Sequence, residues 1–225
     1  TPEQMKQGMN AIQIAMAAQP PDRNNLKNAV AAALGNAGTD APIPTAKAPL
    51  NDTQHAAARL RLGMETRMLR LMNAEGIKAH PAHVEFPGKA PENAPRTDAE
   101  IAITPSISGW HSTGLYAVAG EPITVTIPEK YADKGYAVRI GCHSDTLYHL
   151  DKWQRAPDIT RSDTLVTATT KAASAFGGLI YVEVPGRAKD DEPFTAAIKD
   201  AIAAPLFLLG KDDDAKWKEI RQRPA

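Results

Sequence analysis

The sequence predicts an α+β protein, a helical N-terminal region followed by an antiparallel β-sandwich. Three observations carry that expectation. Residues 1–76 are rich in Ala, Met, Gln and Arg, with apolar side chains spaced by three and four; from Ile101 the apolar period falls to two. Between them, Pro81, Pro87, Pro91 and Pro95 interrupt any periodicity. The organisation therefore reads as a helical region 1–76, a Pro-rich linker 77–100, and a β-sandwich 101–225 with short C-terminal helices.

The helical region opens on "TPEQ", a capping-box pattern from Thr1 to Gln4 with Pro2 at the first helical position. Met5, Met9, Ile12 and Met16 then share one face, and Pro20 and Pro21 end the helix. Asp22 or Asn24 caps a second helix carrying Leu26, Val30 and Leu34, closed by Gly35 or Gly38. After the connector "DAPIPTAKAPLND", Asp52 is expected to cap the strongest helix, about 53–75. Its predicted stripe is Ala57, Leu60, Met64, Met68 and Leu71, with Gly76 as the left-handed residue that stops it. Arg59, Arg61, Arg67 and Arg70 decorate this helix. They read as a solvated face, with anion binding as the functional alternative; Glu65 and Glu75 dilute the charge.

In the β region, "GWHSTGLYAVAGEPITVTIPEK" reads as a turn-rich approach to a strand in which Ile123, Val125 and Ile127 point inward. Tyr136, Val138 and Ile140 alternate with Ala137 and Arg139, and "LVTATT" and "LIYVEV" add two further β-rich runs. Strands without intervening helices argue for antiparallel pairing. A short helix at about 193–203, a brief apolar strand after Pro205 and an amphipathic piece around Trp217 and Ile220 complete the expected order.

Composition excludes several classes. The 26 basic and 26 acidic side chains cancel, so a general electrostatic hold on nucleic acid is not expected. No apolar run reaches the roughly 18 residues of a membrane span. One cysteine, Cys142, allows no internal disulfide or cysteine-based zinc knuckle, and it reads as a small buried thiol at a strand end. His80 and His83 have H-x-x-H spacing, but Pro81 between them disrupts a helix and no third ligand follows. His143, Asp145 and His149 in "GCHSDTLYH" are candidate metal ligands by chemistry; as loop residues their commoner role is hydrogen bonding to backbone. "DDD" at Asp212–Asp214 lacks the pattern of a calcium loop and reads as a solvated turn. Trp110, Tyr116, Tyr148 and Trp153 flank the strands, where aromatic rings either fill the core or stack on sugar rings.

The segments "STGLYAVAGEPITVTIP", "VRIGCHSDTL", "WQRAPDIT", "FGGLIYVEVP" and "APLFLLGKDDDAKWKEIRQRPA" occur in the order found in the M60-like (enhancin-like, mucinase) zinc metallopeptidases, which this chain resembles over about 108–225. The resemblance implies a secreted, periplasmic or cell-surface bacterial protein whose parent hydrolyses mucins or other O-glycosylated proteins. In that family a zinc held by H-E-x-x-H activates water. The present sequence contains no H-E-x-x-H, so no catalytic residue or zinc ligand is carried over, and the chain is expected to be inactive alone. Its matched segments resemble the β-sandwich preceding the protease domain. Expected partners are the protein's own C-terminal protease domain and a glycoprotein substrate, with zinc in the catalytic domain. Trp110, Tyr116, Trp153 and Arg155 are the candidate contacts to substrate or protease. A stand-alone carbohydrate-binding module and a structural interaction domain are the alternatives.

Overall fold

A computed structural model describes residues 42–189 and 191–223. The two helices expected within residues 1–41 lie outside these described residues. The chain divides into two compact units, one formed by residues up to Met72 with Ser144–Ile159, the other by Asn73–His143 with Thr160 onward.

In the first unit, β1 (Leu50–Asn51) precedes α1 (Ala56–Leu69). The helix is shorter than expected at both ends. Asn51, rather than Asp52, supplies a side-chain oxygen, accepting from Gln54 N at 3.0 Å, and His55 at the N-cap position makes no side-chain cap. Gly76 lies instead in a separate turn, Ala74–Gly76. The buried stripe is also rotated: Arg59, Leu62, Gly63, Thr66 and Met68 point inward, so only Met68 survives from the expected stripe. Apolar periodicity could not register an inward-facing arginine or threonine.

The second unit is an eight-stranded antiparallel sheet folded on itself. Its strands are β2 (Arg96–Ile103), β3 (Gly109–Ala117), β4 (Ile123–Thr126), β5 (Ala137–Ile140), β7 (Arg161–Thr164), β8 (Thr169–Ala172), β9 (Gly178–Val184) and β10 (Phe194–Ala203); β6 (Lys152–Trp153) pairs with β1 in the first unit. One half runs β7-β5-β9-β3. The other is built on β10, which carries β2 along one edge and β4, then β8, on the other. The halves join where Ile202 and Ala203 of β10 pair with Tyr116 and Leu115 of β3.

One core lies between the halves. Val138 and Ile140 from β5, Ile180, Val182 and Val184 from β9, Ile123 and Val125 from β4, and Ala196 and Ile198 from β10 all belong to it. The inward set predicted for β4 and β5 is thus borne out, with Ile123, Val125, Tyr136, Val138 and Ile140 all 0 % exposed. Tyr131, Tyr136 and Phe194 close one end of the core, with ring centroids 4.4 to 5.8 Å apart. The Tyr136 hydroxyl donates to Asp191 Oδ2 at 2.8 Å; burial first, then this carboxylate, hold its phenol well above the ordinary range.

The helix expected at about 193–203 is instead β10. "FTAAIKDAIA" is rich in Ala, a helix former, yet Phe194, Ala196 and Ile198 alternate inward with period two, and strands on both edges satisfy its backbone. A bulge after Ile198 resets the phase: Asp200 takes φ 67° and its N–H donates to Asp98 Oδ1 at 3.2 Å. Three smaller expectations also shift. The segment from Gly109 is itself a strand, "LVTATT" contributes only its end to β8, and the residues after Pro205 form no strand. The final amphipathic piece is α2 (Asp214–Ile220), which buries Ile220. "DDD" builds its entry: Asp213 caps the helix by accepting from Lys216 N, and Asp212 accepts from Leu208 N.

Residues 77–100 wrap this unit closely. Ile77 and Ala82 are buried, and His80 N–H donates to Ala175 O at 2.8 Å. At the turn before β4, a Cβ on Gly120 would lie 2.2 Å from Ala79 N. A second close approach fixes β5 against β9: a Cβ on Gly178 (φ +146°) would sit 2.7 Å from both Cα and N of Gly141. We expect Gly178→Ala to lower unfolding free energy by at least about 2 kcal/mol, since backbone cannot yield as a side chain does. Gly186→Ala, where a Cβ meets nothing within 4 Å, is expected to stay within about 0.5 kcal/mol of the parent. Urea denaturation of both variants measures the difference.

Candidate functional site

Because β9 alternates, burying Ile180, Val182 and Val184 turns Tyr181 and Glu183 to the opposite, outer face. Cross-strand register then sets their neighbours. Trp110 of β3 lies opposite Glu183, which lies opposite Ala137; Ser112 lies opposite Tyr181, which lies opposite Arg139 and, beyond it, Ser162. A third row brings Tyr116 opposite Leu179. The outer face therefore presents two aromatic rings and a polar cluster in two adjacent rows.

The cluster is internally braced. The Arg139 guanidinium lies 3.9 Å from the Trp110 ring centroid, a cation–π contact across β9. Each of its nitrogens donates: Nε to Gly141 O at 3.0 Å, Nη2 to His143 O at 2.8 Å, and Nη1 to Glu183 Oε1 at 3.2 Å. The other Glu183 oxygen accepts from Ser162 Oγ at 2.5 Å. Trp110 and Tyr181 meet at 5.6 Å with a 48° tilt, and Trp110 nevertheless keeps 44 % exposure. Burial raises the pKa of both the Tyr181 and Tyr116 phenols, so both are neutral hydrogen-bonding groups near pH 7. Chemically, the face offers an open indole, a phenol and a fixed carboxylate.

Of the four contact residues expected from sequence, Trp110 and Tyr116 lie on this face. Trp153 does not: it is 0 % exposed in the first unit, packed in a cluster with Leu50, Leu62 and Leu147 and edge-on to Tyr148. An indole with no open surface cannot stack on a sugar. Arg155 donates to Asp145 Oδ2 at 2.7 Å and to Ala156 O at 2.8 Å, which makes it part of its own loop. Tyr181, Glu183, Arg139 and Ser162 were not singled out. Alternation in "LIYVEV" and "AVRI" carries their outward direction, but only strand order brings the three strands together.

Placing the other candidates corrects several expectations. Cys142 is exposed rather than buried. His80 accepts from Ala82 N and stacks near Phe176, while His83 Nδ1 lies 2.7 Å from His80 O, so both brace the turn Pro81–Val84. His143 packs edge-on to Phe86, Asp145 is held by Arg155, and His149 is exposed. Among the described residues, no group of three or more His, Cys, Asp or Glu is placed to hold a metal ion. The residues described therefore do not fit a zinc site. No described helix is long and apolar enough to cross a membrane.

The arginines of α1 do not form one open anion site: Arg59 is buried, Arg61 pairs with Glu65 one turn on, and Arg70 is exposed yet ion-paired. Arg59 donates to Leu150 O and Asp151 O, both at 2.7 Å, and stacks over Trp153 at 4.4 Å. Arg70 and Arg67 converge on buried Asp158 at 2.8 and 3.5 Å. Burial lowers the pKa of Arg59, as desolvation of a cation requires, with Asp52 and Asp151 opposing. We expect Arg59→Ala to destabilise the first unit by about 3 kcal/mol, because two charged hydrogen bonds and the packing on Trp153 vanish together. A denaturation curve followed by tryptophan fluorescence checks this; an unchanged midpoint would return Arg59 to the surface.

Residues 92–199 match the family described as the N-terminal domain of M60-like peptidases. TRPM8 channel-associated factor 2 of Homo sapiens is 36 % identical over 113 residues, 50 % of this chain and 12 % of that protein. TRPM8 channel-associated factor 3 of Mus musculus is 32 % identical over 133 residues, 58 % of this chain and 14 % of that protein. The IMPa metallopeptidase from Pseudomonas aeruginosa superimposes with TM-score 0.60 at 16 % identity, covering 97 % of this chain and 25 % of that chain. IMPa in complex with an O-glycopeptide gives TM-score 0.54 at 16 % identity, over 97 % of this chain and 26 % of that chain. At such identities the structural likeness is one of fold. The chain spans only a small part of the length of each relative.

Proposed function

We propose, from the M60-like N-terminal domain that residues 92–199 match, that this chain is the non-catalytic N-terminal portion of a secreted M60-like zinc metallopeptidase acting on mucins and other O-glycosylated proteins. It supports the protease domain of the same polypeptide and helps present glycoprotein substrate. The zinc that the family implies belongs to that protease domain. Location outside the cell, in a bacterial periplasm or at its surface, follows from the substrate class. The single observation that carries this reading is the family match over the β-unit, and the likeness in fold to IMPa, solved with an O-glycopeptide, supports it.

A second reading has its own support. The curated relatives are named as channel-associated factors, which favours an interaction domain without a proteolytic role. One experiment separates the two. The purified chain, with or without added zinc, is expected to leave an O-glycosylated mucin intact on a gel. The polypeptide extended through the downstream reading frame is expected to contain H-E-x-x-H and to cleave the mucin only when zinc is present. A downstream frame without that motif removes the peptidase reading and leaves the interaction domain.

A further inference from the structure

The outer face of β7-β5-β9-β3 joins a partly open indole to a braced carboxylate, a combination that packing alone does not require. Trp110 is a large apolar side chain on the solvent side of a sheet, and it stays 44 % exposed although Arg139 and Tyr181 hold it in place. Its orientation is thus fixed before any ligand arrives, so little ordering entropy remains to be lost on binding. Glu183, directly opposite Trp110, has each oxygen engaged by one partner, Arg139 or Ser162. A carboxylate oxygen retains a further acceptor site when it takes one hydrogen bond. Ser112 and Ser162 sit exposed in the adjoining row.

We propose that this face, Trp110 with Tyr181, Glu183 and Ser112, binds a neutral pyranose of an O-linked glycan, its C–H face on the indole and its hydroxyls on Glu183 and Ser112. The chemistry selects this occupant. An aromatic surface beside fixed acceptors suits a ring that is apolar on one face and hydroxylated at its rim. Charge gives anionic sugars no advantage: the Arg139 cation is paired with the Glu183 carboxylate, and three of its five N–H groups donate within the protein. The surface is a second contact for glycan, separate from any site of cleavage. The choice of O-linked glycans rests on the function proposed above; the pyranose site itself rests on the geometry.

The test uses the whole chain and four probes: a galactose–N-acetylgalactosamine disaccharide, its sialylated form, a β-glucan oligosaccharide and an unglycosylated peptide. Binding is read by calorimetry and by chemical-shift changes of the Trp indole N–H groups. Saturable binding of the neutral disaccharide is expected, with little dependence on salt. Trp110→Ala should weaken it about tenfold and Trp110→Phe, which keeps an aromatic face, about threefold or less. Glu183→Gln should weaken it in a variant that still melts in one cooperative transition. Binding that survives Trp110→Ala, tighter salt-dependent binding of the sialylated probe, or preference for the peptide overturns the proposal. Binding of the β-glucan alone keeps the site but overturns its assignment to O-linked glycans. Failure of all four probes overturns the site and leaves the peptidase reading to the cleavage experiment.

Discussion

The rest of the β-unit depends on backbone meeting backbone where Gly178 starts β9 beside Gly141, just past β5. A Cβ on Gly178 would stand 2.7 Å from Gly141 Cα and N, so the two segments approach more closely than side chains permit. That contact sets where pairing begins, with Gly141 N–H donating to Leu179 O at 2.9 Å and Ile140 facing Ile180. With side-chain period two, a slip of one residue would turn Ile180, Val182 and Val184 to water and bring Tyr181 and Glu183 into the core. The "GG" and "IG" pairs in the family-like segments thus have a mechanical meaning. They hold the register on which both the core and the outer face rely.

The braced cluster on that face contributes more to orientation than to stability. Arg139 and Glu183 are only 13 % and 24 % exposed at their side chains, so the cost of desolvating both charges offsets much of their attraction. What the pair does is geometric. A guanidinium held by two carbonyls and a carboxylate is a rigid plane, and an indole laid against it loses its rotational freedom. The first unit uses arginine differently. There Arg59 spends its donors on Leu150 O and Asp151 O and its flat face on Trp153, filling the place that a large apolar side chain fills elsewhere. Two arginine stacks in one chain therefore serve two ends, one capping a loop beneath a helix and one presenting a ring to solvent.

How much of this was legible in the sequence follows from what each signal measures. Alternation measures burial on one face of a strand, so Ile123 and Val125 of β4 and Val138 and Ile140 of β5 were readable as inward, while "LIYVEV" was readable only as a strand. Helix phase was not, because α1 buries Arg59 and Thr66, whose side chains find hydrogen bonds inside: Thr66 Oγ1 donates to Gly63 O and lies 3.2 Å from Tyr148 OH. β10 differs from the expected helix because alanine scores as helical and the bulge after Ile198 cuts the alternation of Phe194, Ala196 and Ile198 short. Trp153 and Trp110 could not be told apart, since both flank predicted strands. Pairing with β1 puts Trp153 in a core, whereas pairing opposite Glu183 puts Trp110 on a surface. Composition said aromatic, and topology decided which indole faces water.

The same reasoning gives the family-like segments a structural role in this chain, where the described residues assemble no metal site. "STGLYAVAGE" supplies the end of β3 and the turn at Gly120 that receives Ala79; "VRIGC" supplies Arg139 and Gly141; "FGGLIYVEV" supplies Gly178, Tyr181 and Glu183. Each segment contributes one part to the backbone approach and one to the outer face. The core alone would accept many apolar residues of similar volume at these strands. A requirement for glycine at closest approach, together with arginine, tyrosine and glutamate on the opposite face, is far narrower. Both demands fall on β5 and β9, so a substitution that shifts the register there removes the site as surely as one that removes Trp110.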